Sequence, residues 1–230
     1  MYMSKPQPST LATFDLDQRL SGGFQMPTRM TALGFGSGGV ALVSPVPIDD
    51  AMAAKIAELG EVRYLVAPNL LHHLYLADAK ARYPDARILA PKGLGQKRPD
   101  LRIDACLEDG VPSDLKDDVR AVRIDGAPAV DEVALFHVPT RTLVLTDLVF
   151  NVTKPRGLVA HLVLFLVGCH AKLAQSRTWR FFVKDRVAAA ASVRTLLTLP
   201  FDTLVVAHGE VVHDRAKESL RGALRWIERG

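Results

Sequence analysis

The stretch Tyr64-Leu65-Val66-Ala67-Pro68-Asn69-Leu70-Leu71-His72-His73-Leu74-Tyr75-Leu76 decides how the chain is read. The segment Val62 to Ala67, apolar but for Arg63, predicts a buried strand, Pro68 and Asn69 break it, and a helical pattern resumes toward Tyr83. The break exposes two adjacent histidines, His72 and His73. Junctions of strand and helix are where α/β proteins hold their ligands. A site here requires partners from other strand ends.

At 230 residues, 48% hydrophobic and 23% charged, the sequence is that of one globular domain spanning 1–230, with polar, proline-bearing residues 1–10 as a frayed lead-in lacking a signal-peptide core. The net charge of +4 and pI near 9.2 come without a long basic run, which argues against a nucleic-acid arm and favours a small-molecule substrate, anionic in preference. Cys106 and Cys169 are far apart and form no CxxC, as expected of a reducing, cytoplasmic compartment. The most apolar run, 158–167, is interrupted by His161 and too short to cross a bilayer, so no membrane insertion is expected. Oligomeric state stays open.

Along the chain, Thr28 to Phe35 and Gly39 to Ser44 read as strands joined by a Gly36-Ser37-Gly38 turn. No helix opens after these glycines, so a phosphate loop is not indicated. A helix capped by Asp49 or Asp50 runs to Leu59, and a strand spans Arg87 to Ala90. Residues 91–100 read as a basic loop, and 119–124, 131–137 and 142–147 as an antiparallel meander ending in Asp147. A mostly buried helix is expected over 158–174, a second from Asp185 to Leu199, a strand 203–207 ending in His208-Gly209, and an amphipathic helix from Asp214 to Glu228.

His72 and His73, Asp147 and His208 thus all stand at the ends of apolar strands. Any one alone is better explained as a satisfied structural histidine or a cap. Together, imidazoles and a carboxylate form a donor set suited to zinc or iron.

This order of elements resembles the metallo-β-lactamase superfamily, and the similarity runs over nearly the whole chain. It is most similar to a branch marked by Pro68-Asn69-Leu70-Leu71-His72-His73, Lys97-Arg98-Pro99-Asp100 and Ala207-His208-Gly209. The resemblance implies a four-layer αββα sandwich and a metal-dependent hydrolase. The superfamily's Thr-His-x-His-x-Asp-His signature, laid over 67–73, puts Pro68 and Leu70 in place of two histidines, His72 in place of the aspartate, and retains His73. Ala127 stands where a further histidine is usual. These losses would erase one metal site and keep the other, so the resemblance implies one divalent ion, zinc ahead of iron, held by His72, His73, Asp147 and His208. Asp147 and His72 are then the candidate catalytic residues, and Lys97, Arg98 and Asn69 the candidate substrate contacts.

The expected activity is hydrolysis of a small ester, thioester, lactone or phosphoester. An iron oxygenase and a catalytically inactive member are the alternatives. Four tetrahedral donors would close the site, whereas catalysis needs a vacant position.

Overall fold

The computed structural model describes residues 10–19, 25–36 and 38–228. Residues 1–9 and Ser37, read above as part of a lead-in and of a turn, lie outside them.

Two sheets carry the fold. The first has strands β1 (Leu11–Arg19), β2 (Gln25–Phe35), β3 (Gly39–Val43), β4 (Glu61–Val66), β5 (Arg87–Ala90) and β6 (Ala105–Cys106), in that spatial order. Strands β1 to β3 are antiparallel and β3 to β6 run parallel. The second sheet contains β7 (Val119–Arg123), β8 (Val133–His137), β9 (Thr142–Leu145) and β10 (Thr203–Val206), ordered β10-β9-β8-β7. The expected meander is present as β7 to β9, and β10 adds to it in parallel.

Alternation along each strand sorts side chains into layers. Leu33, Val43, Val66, Val133, Leu135 and Val144 meet between the sheets. The opposite face of the first sheet, with Leu42, Leu65 and Ile88, is covered by α1 (Asp50–Leu59), α2 (Leu76–Arg82) and α3 (Lys92–Lys97). The opposite face of the second, with Phe136, Leu143 and Val206, is covered by α5 (Arg177–Phe182), α6 (Arg186–Thr198), α7 (Ala216–Ala223) and α8 (Arg225–Glu228). The result is the αββα sandwich that the sequence led us to expect.

Several elements differ from expectation. The helix expected over 158–174 stops early: α4 (Leu158–Leu166) is followed by Gly168 at φ 80°, a left-handed conformation that ends the helical path. Residues 92–97, read as loop, form α3 despite two glycines, because Leu94 packs into the core below. Strand β1 was not anticipated; its outward Asp15 and Asp17 mask the alternation of a sheet edge.

Strands β3 and β4 are parallel, as are β9 and β10, so each pair delivers its following residues to one rim: Ser44 after β3, the histidine turn after β4, Asp147 after β9 and His208 after β10. Backbone bonds from Leu70 N to Val130 O (2.9 Å) and Val133 N to Pro68 O (2.8 Å) stitch the sheets together there.

Candidate metal centre

At this rim His72 Nε2 lies 3.1 Å from His208 Nε2 and 3.3 Å from Asp147 Oδ2, and His208 Nε2 lies 3.4 Å from Asp147 Oδ1. Tetrahedral coordination with bonds of roughly 2.0–2.2 Å places neighbouring donors about 3.3–3.6 Å apart, so the spacing is within a few tenths of an ångström of what a divalent ion requires. Proton placement fits as well. His208 Nδ1 donates to the Pro27 carbonyl at 2.8 Å, so in the neutral ring its Nε2 carries the lone pair. His72 Nδ1 sits 2.6 Å from Ser44 Oγ, a hydroxyl able to accept in the same way. Two imidazole lone pairs and a carboxylate then converge with no proton between them, an arrangement a cation stabilises. Holding each ligand's second nitrogen with an outer partner is typical of metal-binding histidines.

Asp147 is positioned from both sides. Asn69, fully buried, donates from Nδ2 to Asp147 Oδ2 (2.7 Å) and Thr146 Oγ1 (3.0 Å), while its Oδ1 accepts from the backbone N–H groups of Leu71 and His72 (2.8 and 2.7 Å). One amide therefore fixes the carboxylate and shapes the histidine turn. Glu132, equally enclosed, accepts from the N–H groups of Thr146 and Asp147 at 2.8 and 3.0 Å. Burial, then the nearby Asp147 charge, push the Glu132 carboxyl up to about 7. Burial pushes Asp147 up too, but where His72 and His208 carry the proton that a cation would replace, their charge and hydrogen bonds outweigh it and hold that carboxyl well below the usual range.

His208 is held by the tight approach of its neighbour. Gly209 adopts φ 108°, and a Cβ there would come within 2.2 Å of the Asn151 carbonyl oxygen. Arg29, buried in β2, donates to the carbonyls of Val206 (3.1 Å) and Gly209 (2.7 Å) and is paired with Asp15, tying this end of β10 to the first sheet. Phe150 stacks on the His208 ring at 4.9 Å between centroids.

Of the four expected ligands, the structure brings together three: His72, Asp147 and His208. His73 stands apart. Consecutive residues of a tight turn project in different directions, and its Nδ1 faces Arg98 Nη1 at 3.1 Å. Since arginine only donates, that nitrogen is an acceptor, in keeping with a pKa lowered by burial and by the charges of Lys97 and Arg98. The expected substrate contacts are engaged within the chain. Lys97 Nζ donates to the Leu70 carbonyl at 2.6 Å, Arg98 is clamped by Asp100 at 2.8 and 2.6 Å, and every polar atom of the Asn69 side chain is used as above. The Lys97-Arg98-Pro99-Asp100 motif thus braces the histidine turn. Ala127 is buried beneath the second sheet.

Ser44, Glu132 and Arg29 escaped the sequence reading although each carried a signal. Ser44 ends an apolar strand as Asp147 does, at a strained φ of 55°, Glu132 follows Asp131 directly before the apolar run 133–136, and Arg29 is the one charge between Met26 and Phe35. The Pro27 carbonyl has no side-chain signal to find.

Two cavities adjoin the three donors. One of about 240 Å³ is lined by Ser44, Leu74, Tyr75, His72, Asp147 and His208. The other, about 190 Å³, reaches Asp147 but is otherwise mainly apolar, with Leu71, Phe150, Val163, Leu164 and Trp179 in its walls.

No protein-family model matches the sequence, and no curated protein matches it. Solved structures do. A metallo-β-lactamase from Pontibacter korlensis superposes with a TM-score of 0.64 at 12% identity, covering 96% of this chain and 97% of its own. The metallo-β-lactamase FIM-1 from Pseudomonas aeruginosa, in its mono-zinc form, gives 0.58 at 12% identity over 95% and 88%. A metal-soaked flavodiiron core, Flv1 from Synechocystis, gives 0.59 at 14% identity over 97% of this chain and 60% of its own. With two facing sheets, helices on both outer faces and the candidate donors at one rim, the chain has the metallo-β-lactamase fold.

Proposed function

We propose that this chain is a metal-dependent hydrolase of a small ester, thioester, lactone or phosphoester, with one ion held by His72, Asp147 and His208. The observation that carries the reading is that, among the described residues, three donors converge at tetrahedral spacing beside a cavity. Three protein ligands with an open position are the pattern of catalytic zinc sites, whereas structural sites are closed by four. When bound, such an ion polarises an acyl or phosphoryl oxygen and acidifies water. The chain's own residues hold the donors in register: the Pro27 carbonyl sets the His208 tautomer, Ser44 holds the His72 ring, and Asn69 aims the Asp147 carboxylate. The 190 Å³ cavity gives the apolar part of an ester an apolar-walled place beside the donors.

Elemental analysis of protein purified without added metal is expected to find one equivalent per chain. His208→Ala and Asp147→Asn should lose it, while His73→Ala should keep it. Two equivalents, or none, would sink the reading. Against chromogenic esters of increasing acyl length, kcat/KM should rise over the first several carbons and the rise should vanish in Val163→Trp, which fills the apolar cavity. A stoichiometric metal without turnover on esters or phosphoesters would mark an inactive member. Two histidines and a carboxylate are also the ligand set of non-haem iron oxygenases, so iron in the analysis together with oxygen consumption would favour that second reading.

A further inference from the structure

Apart from the exposed His161, which lies 2.9 Å from His170 Nε2, helix α4 is apolar all round, yet it lies at the surface. Ala160 and Leu164 are buried beneath it, whereas Leu158, Leu162, Phe165 and Leu166 are 89, 60, 68 and 58% exposed, and Phe181 of α5 is 76% exposed. Monomeric proteins rarely leave so large an apolar patch uncovered without a binding role. At nine residues the helix is far too short to cross a bilayer, and among the described residues no helix is long and apolar enough to do so.

The charge around this patch is one-sided. Residues 148–184 contain six of the chain's 29 Lys and Arg and none of its 25 Asp and Glu, so this segment alone exceeds the whole net charge of +4. Lys154 and Arg156 precede the helix, Lys172 follows it, Arg177 donates to the carbonyl of Leu166 at 3.0 Å, and Lys184 lies 5.6 Å from the Phe181 ring. Arg156 pairs with Asp17 of β1; Lys154, Lys172, Arg177 and Lys184 are exposed.

We propose that α4 docks this protein onto an anionic lipid surface, with Leu158, Leu162, Phe165 and Leu166 entering the interface and the flanking cations on the headgroups. Apolar side chains framed by Lys and Arg are what such a surface binds, each basic residue contributing about 1 kcal/mol. A second copy of the chain fits less well, because a two-fold contact places the same patch on itself and opposes like charges. The inner face of the same helix, through Val163 and Leu164, walls the apolar cavity that reaches Asp147, so the docked face and the candidate site share one element. The docking does not depend on the metal reading.

The test is co-sedimentation of the full chain with vesicles of phosphatidylcholine alone and of phosphatidylcholine containing about one-third phosphatidylglycerol. The protein should pellet with the anionic vesicles and stay in solution with the neutral ones. Leu162→Asp with Phe165→Asp should abolish pelleting, with the far-UV circular dichroism unchanged because both sites are exposed. Lys154→Gln with Lys172→Gln should weaken binding roughly fivefold per charge removed. Absence of pelleting, equal pelleting with both vesicles, or a dimer in light scattering that Leu162→Asp dissociates would each overturn the proposal.

Discussion

Asn69 concentrates more of the candidate site than any ligand does. Its amide joins Asp147, Thr146 and the backbone of Leu71 and His72 in a fully buried position. Asn69→Ala leaves those groups unsatisfied, and it should cost roughly 1–3 kcal/mol in urea unfolding and weaken metal binding roughly 10–100-fold in competition with a chromogenic chelator. Unchanged metal affinity would show that Asp147 needs no such support. Ser44 is the second residue to probe, since it lies 2.6 Å from His72 Nδ1 in a strained backbone conformation. If it orients a ligand, Ser44→Ala lowers metal affinity by a similar factor, yet turnover returns when metal is saturating. Turnover lost even at saturating metal, together with labelling of Ser44 by a fluorophosphonate, would make it the nucleophile instead.

At the scale of elements, the strand ends do the positioning, and the end of β10 is the most constrained. Gly209 combines a left-handed backbone with a carbonyl where a side chain would sit. Gly209→Ala should therefore cost at least about 1–3 kcal/mol of stability from the backbone alone, with His208 displaced; a melting temperature equal to wild type would contradict this. The buried central strands were legible because each carries a mainly apolar run closed by a turn or a polar residue, and His72, Asp147 and His208 follow the ends of such runs. Edge and surface elements were less so: β1 bears acidic residues on its outer face, and α3 contains Gly93 and Gly95. His73 shows the limit most plainly. Its place in a motif suggested a ligand, but which way a turn residue points is set by tertiary partners, here Arg98, that no local pattern encodes.

For the molecule as a whole, the two sheets must stay in register for donors from both to meet, and His137 is one of the polar ties between them. Fully buried on β8, it faces the Gly34 carbonyl of β2 through Nε2 at 2.8 Å and Thr140 Oγ1 through Nδ1 at 2.7 Å. Burial lowers its pKa below the ordinary 6.5, an effect only partly opposed by the Gly34 carbonyl and the charge of Asp118. Because the folded protein resists protonation that the unfolded chain accepts, the neutral ring contributes stability above about pH 6.5, and that contribution is lost as pH falls below it. Gln can donate to the same carbonyl without titrating, so the stability difference between wild type and His137→Gln, measured by urea unfolding with chelator present, should shrink steadily as pH falls from about 7 to about 5. A difference that stays flat across this window would mean that the His137 proton is not coupled to folding, and that the sheets are held at this point by packing alone.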